Sequence, residues 1–146
     1  MNKNILSLVL ATAAFCVSVP SSAQAQTALG IQLGDPTGVS IRFTKPESSW
    51  AYEGLIAYNF DEFVTGELFL HRTQPLSDTD PITLFYGPGG YIGVGNDVFT
   101  AGVSAQAGAS YNIDRFDIFG RVIPRFSLTP GTDFSFGFGI GFWYAI

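Results

Sequence analysis

Large apolar residues fall on every second position along most of the chain. The clearest case is residues 133–146. There Phe134, Phe136, Phe138, Ile140, Phe142, Tyr144 and Ile146 alternate with Ser135, Gly137, Gly139, Gly141, Trp143 and Ala145. A repeat of two marks an extended strand with two unlike faces. One face is bulky and aromatic. The other is mostly too small to cover anything, so side chains from elsewhere must fill the space it leaves.

Seven earlier segments alternate in the same way, with varying clarity. In 27–34, Leu29, Ile31 and Leu33 oppose Gly30, Gln32 and Gly34. In 39–44, Val39, Ile41 and Phe43 oppose Ser40, Arg42 and Thr44. Segment 50–60 puts Trp50, Tyr52, Ile56, Tyr58 and Phe60 on one side and Glu53 and Asn59 on the other. Segment 64–72 sets Val64, Leu68 and Leu70 against Thr65, Glu67, Phe69 and His71. Segment 82–94 is glycine-rich and the least regular. Segment 98–111 opposes Phe99, Ala101, Val103, Ala105, Ala107 and Tyr111 to Thr100, Gly102, Ser104, Gln106, Gly108 and Ser110. Segment 116–128 opposes Ile118, Val122, Phe126 and Leu128 to Asp117, Arg121 and Arg125. Turn-forming residues separate the segments at 35–38, 45–49, 61–62, 73–81, 96–97, 112–115 and 129–132.

The pattern predicts an all-β fold, an eight-stranded antiparallel up-and-down transmembrane β-barrel. Eight is even and is the smallest size of single-chain bacterial barrels. A spanning strand takes about 9–11 residues, and ten such strands would leave almost nothing for turns.

Composition supports export and a membrane setting. Lys3, the apolar run 5–19 and Ala23-Gln24-Ala25 form the pattern of a cleaved signal peptide over residues 1–25, leaving 26–146 as one barrel domain. The apolar run is too short for a spanning helix. Phe15 ahead of Cys16 does not suit lipidation, and cleavage removes the chain's one cysteine. Disulfides, thiol catalysis and cysteine metal sites go with it. Only 13% of residues are charged, against about 25% in soluble domains. The net charge of −5 offers no footprint for nucleic acid. An exported, apolar chain without a helical span points to a barrel, the other structure that satisfies its backbone in lipid.

A soluble lipocalin-like barrel binding a small apolar ligand would turn the same strands inside out. Its surface would be nearly bare of charge. Its interior would have to hold Phe134, Phe136, Phe138, Phe142, Tyr144 and their counterparts, more than an eight-stranded lumen accepts. The membrane reading places the bulky face in lipid, with Tyr58, Phe60, Phe99, Phe126 and Phe134 near the outer rim and Trp50, Tyr52, Tyr111 and Tyr144 near the inner one, if both termini are periplasmic.

The same parity points Arg42, Glu53, Glu67, His71, Asp117, Arg121, Arg125 and Asp133 inward. Charge in a narrow lumen must be paired. Hairpin register pairs Arg42 with Glu53 and Glu53 with His71, sets Arg121 level with Glu67, and puts Arg125 above. Gly137, Gly139 and Gly141 leave room for the two arginines. The expectation is a structural salt-bridge network; a narrow outer-membrane channel is the sharper alternative. The lone histidine, His71, faces inward, and there is no Gly-x-Ser-x-Gly elbow, so no catalytic residue is assigned. Asp78 and Asp80 lack calcium-loop spacing, and residues 87–93 lack the Lys-Ser/Thr of a phosphate loop. No metal or cofactor is expected. Residues 87–93 read instead as a kinked, crowded stretch of wall.

The signal peptide, the eight alternating segments and the closing Phe138-Gly-Ile-Gly-Phe-Trp-Tyr144 resemble the small outer-membrane barrels of Gram-negative-type bacteria, the OmpA transmembrane domain and OmpX class. The run from Gly30 to Arg42 looks like one found in small exported barrels of unassigned activity. The resemblance implies an outer-membrane protein with a structural or surface-interaction role. Outer-membrane lipids are its surroundings, and the barrel-assembly machinery and periplasmic chaperones are its partners in biogenesis; it is expected to be a monomer. The chain departs from the class in ending on Ile146 where Phe or Trp is usual, and in its short outer loops at 35–38, 61–63, 95–97 and 129–132.

Overall fold

The computed structural model describes residues 26–45, 48–58 and 63–146. The signal-peptide reading lies outside them, as do Asn59, Phe60, Asp61 and Glu62. Eight strands follow in chain order: β1 (Gln26–Asp35), β2 (Thr37–Thr44), β3 (Trp50–Tyr58), β4 (Val64–Pro75), β5 (Ile82–Gly95), β6 (Val98–Ile113), β7 (Phe116–Thr129) and β8 (Asp133–Ala145). Each pairs antiparallel with the next and β8 pairs with β1, closing an up-and-down barrel. The seam runs from Ala28↔Ala145 to Asp35↔Phe138, and Ile146 N–H donates to Thr27 O at 2.9 Å.

The strands outrun the predicted segments where a neighbour gives their backbone a partner. β4 continues to Pro75 because Thr73, Gln74 and Pro75 lie opposite Phe85, Leu84 and Thr83 of β5. β2 begins at Thr37 because Thr37 and Gly38 lie opposite Tyr58 and Ala57 of β3. The β5–β6 hairpin closes on Asn96 and Asp97, both with positive φ (48° and 61°), as a two-residue hairpin turn demands.

The apolar parity faces out. Leu68 is 73% exposed, Ile140 67% and Phe136 65%, whereas Glu53 and Gln32 are each 1% exposed and His71 is fully buried. This inverts the lipocalin-like arrangement, in which the apolar set would line the lumen. Exposed Trp50, Tyr52 and Tyr111 stand near the end that carries Gln26 and Ile146 (the terminal end), and exposed Tyr58, Phe99, Phe126 and Phe134 near the opposite end, that of the β1–β2, β5–β6 and β7–β8 turns (the turn end).

The strands are strongly staggered. From Glu53, the paired residues Phe69, Gly89 and Ser104 lead to Arg125 of β7. The other way round, Arg42, Ala28 and Ala145 lead to Arg115, whose carbonyl accepts from Ala145 N–H at 2.9 Å. The two circuits miss each other by about ten residues, the shear that tilted strands require of a closed barrel. The point of β7 directly across the lumen from Glu53 therefore lies midway between Arg115 and Arg125, beside Arg121.

The lumen is packed in alternating layers. Ala28, Phe85, Phe119 and Trp143 form an apolar cluster toward the termini, and Leu55, Ala57, Phe69 and Ile123 form a second one. Phe119 stacks on Trp143 at 3.9 Å between ring centroids, and Phe85 meets both rings edge-on.

Candidate functional site

Polar side chains lie between and beyond these apolar layers. The central group is built on Arg121 of β7. Its Nη1 donates to Glu53 Oε1 and Oε2 at 3.0 and 2.9 Å and to Gln106 Oε1 at 2.6 Å, and its Nε donates to Gln32 Oε1 at 2.5 Å. Gln106 Nε2 donates to Glu53 Oε2 at 3.3 Å and lies 2.5 Å from His71 Nδ1. Gln32 Nε2 donates to Pro36 O at 2.7 Å, which ties the network to the β1–β2 turn. The guanidinium carbon is 5.0 Å from the Phe119 ring centroid and 5.7 Å from that of Phe69, so aromatic faces flank the charge.

Toward the turn end, Arg125 forms an ion pair with Glu67, using both Nε and Nη2. Toward the termini, Arg42 Nη2 pairs with Asp117 Oδ2 at 2.6 Å, and Asn112 Nδ2 donates to Asp117 Oδ1 at 2.8 Å. Arg42 also lies over the Trp143 ring, 4.2 Å from its centroid, while Trp143 Nε1 donates to Ser40 Oγ at 3.1 Å.

The structure thus places Arg42, Glu53, Glu67, His71, Asp117, Arg121 and Arg125 on the inward parity, but two expected pairings change. Arg42 does lie beside Glu53 in the β2–β3 ladder. Its charge nevertheless goes to Asp117, because Arg121 occupies both Glu53 oxygens and the small Ala28 opposite Arg42 on β1 leaves the way to β7 open. Arg121 meets Glu53 rather than Glu67, and Glu67 falls to Arg125. Hairpin register compares heights between neighbouring strands only, whereas stagger accumulates round the whole wall. His71 lies beside Glu53 as expected, 3.7 Å away, and Gln106 is a second, nearer partner. Asp133, also expected inside, is exposed at the turn end, where its Oδ1 accepts from Phe134 N–H at 2.9 Å.

The glycine face of β8 serves three different neighbours. A Cβ on Gly137 would lie 2.7 Å from Arg125 Nη1, so this glycine does make room for an arginine. A Cβ on Gly139 would collide with the Gln32 side chain, and one on Gly141 with the Phe119 ring. Gln32 and Gln106 are the members of the network that the charge-based reading missed. Both belong to the inward parity sets, but an amide carries no charge that demands a partner. Among the described residues, no group of three or more His, Cys, Asp or Glu side chains is arranged to hold a metal ion.

At the turn end the lumen opens into a recess of about 410 Å³. Thr65, Tyr91, Thr100 and Ser127 line it, Arg125 reaches it from below, and Asp35 and Asp133 stand at its edge.

No protein-family model matches the chain, and no curated protein matches it. A solved structure described as "De novo design of transmembrane beta-barrels" shares the architecture, with a TM-score of 0.54 over 84% of this chain and 97% of that one. Identity is 12%, so the likeness is one of fold.

Proposed function

We propose that the chain is an integral outer-membrane β-barrel of the OmpA transmembrane domain and OmpX class, a monomer with a structural or surface-interaction role. One observation carries the reading: the outward face is apolar except at Arg72, while Glu53, Glu67, Arg121 and Arg125 are inside, paired and buried. Water would leave that outer surface unsolvated, whereas lipid suits it. The aromatic residues at both ends fit the girdles of such barrels. Export by the signal peptide and assembly by the barrel-insertion machinery complete the proposal. Fully buried His71 has no path to a lipid substrate, so no enzymatic activity is assigned. The short turns favour a compact surface over a far-reaching adhesive one.

The expected behaviour is recovery of the mature protein with outer membranes and faster migration on a gel when the sample is not heated. Recovery as a soluble periplasmic monomer would overturn the reading.

A further inference from the structure

We infer that Arg72 is the centre of a binding site for the phosphate of a glycerophospholipid on the outer wall of the barrel; this rests on the membrane reading above. Along β4, Thr65, Glu67, Phe69 and His71 point inward, and exposed Leu68 and Leu70 point outward. Arg72 continues the outward set and is exposed. Its two cross-strand neighbours are Trp50 on β3 and Tyr86 on β5, each 45% exposed on the same face.

Arg72 is the one described cation on the lipid-facing wall. Arg42, Arg121 and Arg125 are inside, each with a carboxylate. Lys45 and Arg115 lie in turns at the same end as Arg72. No described carboxylate is within ion-pair distance of Arg72. Asp78, Asp80 and Asp114 also lie in turns at this end, and the opposite end presents Asp35, Asp97 and Asp133 without an outward-facing cation. A bare guanidinium on an apolar wall is costly unless it reaches the interface and finds an anion there. Trp and Tyr concentrate at the depth where lipid phosphates and ester groups lie. A planar cation whose cross-strand neighbours are Trp50 and Tyr86 therefore offers a forked donor to phosphate with apolar flanks for the acyl and glycerol portions.

The test is native mass spectrometry of the detergent-solubilised barrel with added phosphatidylglycerol. Wild type should retain one lipid, R72Q should lower the bound fraction about fivefold, and K45Q should leave it unchanged. Millimolar inorganic phosphate should fail to displace the lipid. Equal retention by R72Q, or displacement by inorganic phosphate, would overturn the inference. Vesicle insertion and the heat-dependent gel shift are read on the same samples. Normal insertion with unaltered lipid retention in R72Q sinks this inference alone. Failure of wild type to insert sinks the membrane reading and this inference with it.

Discussion

Glu53 and Arg121 illustrate what a single position contributes. Each is removed from water, and each is tolerated because the other is there. Removing one partner of such a pair strands a charge and costs about 3–5 kcal/mol. Glu53→Ala is therefore expected to lower the unfolding free energy by about that amount, read from urea titration of the refolded barrel. Glu53→Leu combined with Arg121→Met should cost less than Glu53→Ala alone, since no charge is left behind. If the double variant is the weaker one, the network does more than compensate its own burial. Facing was legible residue by residue, because strand parity places each side chain in or out. Choice of partner was not. It depends on the stagger of the full circumference, which no hairpin contains, and Arg121 meets Glu53 for that reason.

Among the strands, β8 and β5 mark the two extremes. The alternation of β8 was plain because its faces differ so much in size. Its two faces should also fail differently. A lysine at Phe138, or at Val103 on β6, is expected to cost about 2–4 kcal/mol if near the bilayer midplane, measured by reversible folding into vesicles. Gly139→Val should destabilise by a different route, displacing Gln32 from Arg121, and the loss should persist in detergent, where no lipid core is present. Equal sensitivity of both variants to the change from bilayer to detergent would sink the distinction. β5 was harder to read. Pro88 has no N–H to donate, and the β4–β5 ladder breaks opposite Leu70 and His71 before resuming at Arg72. A Cβ on Gly89 would lie 2.5 Å from the Phe69 ring. Here glycine records close packing against the neighbouring strand, which matches the crowded wall expected for residues 87–93 and blurs the apolar repeat.

For the whole molecule, the decisive property is that the lumen is full. Trp143, Phe119 and Phe85 cross it as one layer and Leu55, Phe69 and Ile123 as another, with the Arg121 network between them. Planar-bilayer recordings are expected to show no steady single-channel steps; regular openings would establish the channel alternative. The two tryptophans offer a second measurement. Trp50 is 45% exposed on the outer wall and Trp143 is 1% exposed inside. Lipids carrying a quencher near the headgroup should dim Trp50 and spare Trp143, as single Trp→Phe variants would separate. Strong quenching of Trp143 would place lipid or solvent in the lumen. Strand number and closure were legible from counting alternating segments. The packed layers were not, because they join residues from opposite walls.

The β1–β8 seam sets an order on the life of the chain. Its two strands are far apart in sequence, so β1 has β2 on one side but lacks its second partner until β8 has been synthesised. Until then any partial sheet keeps two raw edges, which hydrocarbon does not tolerate and other chains can capture. The protein cannot mature piecemeal during translation. On the outer-membrane reading proposed above, it would travel as an open chain and close in one late event, so a truncation within β8 should send it to proteolysis rather than yield a smaller, working barrel.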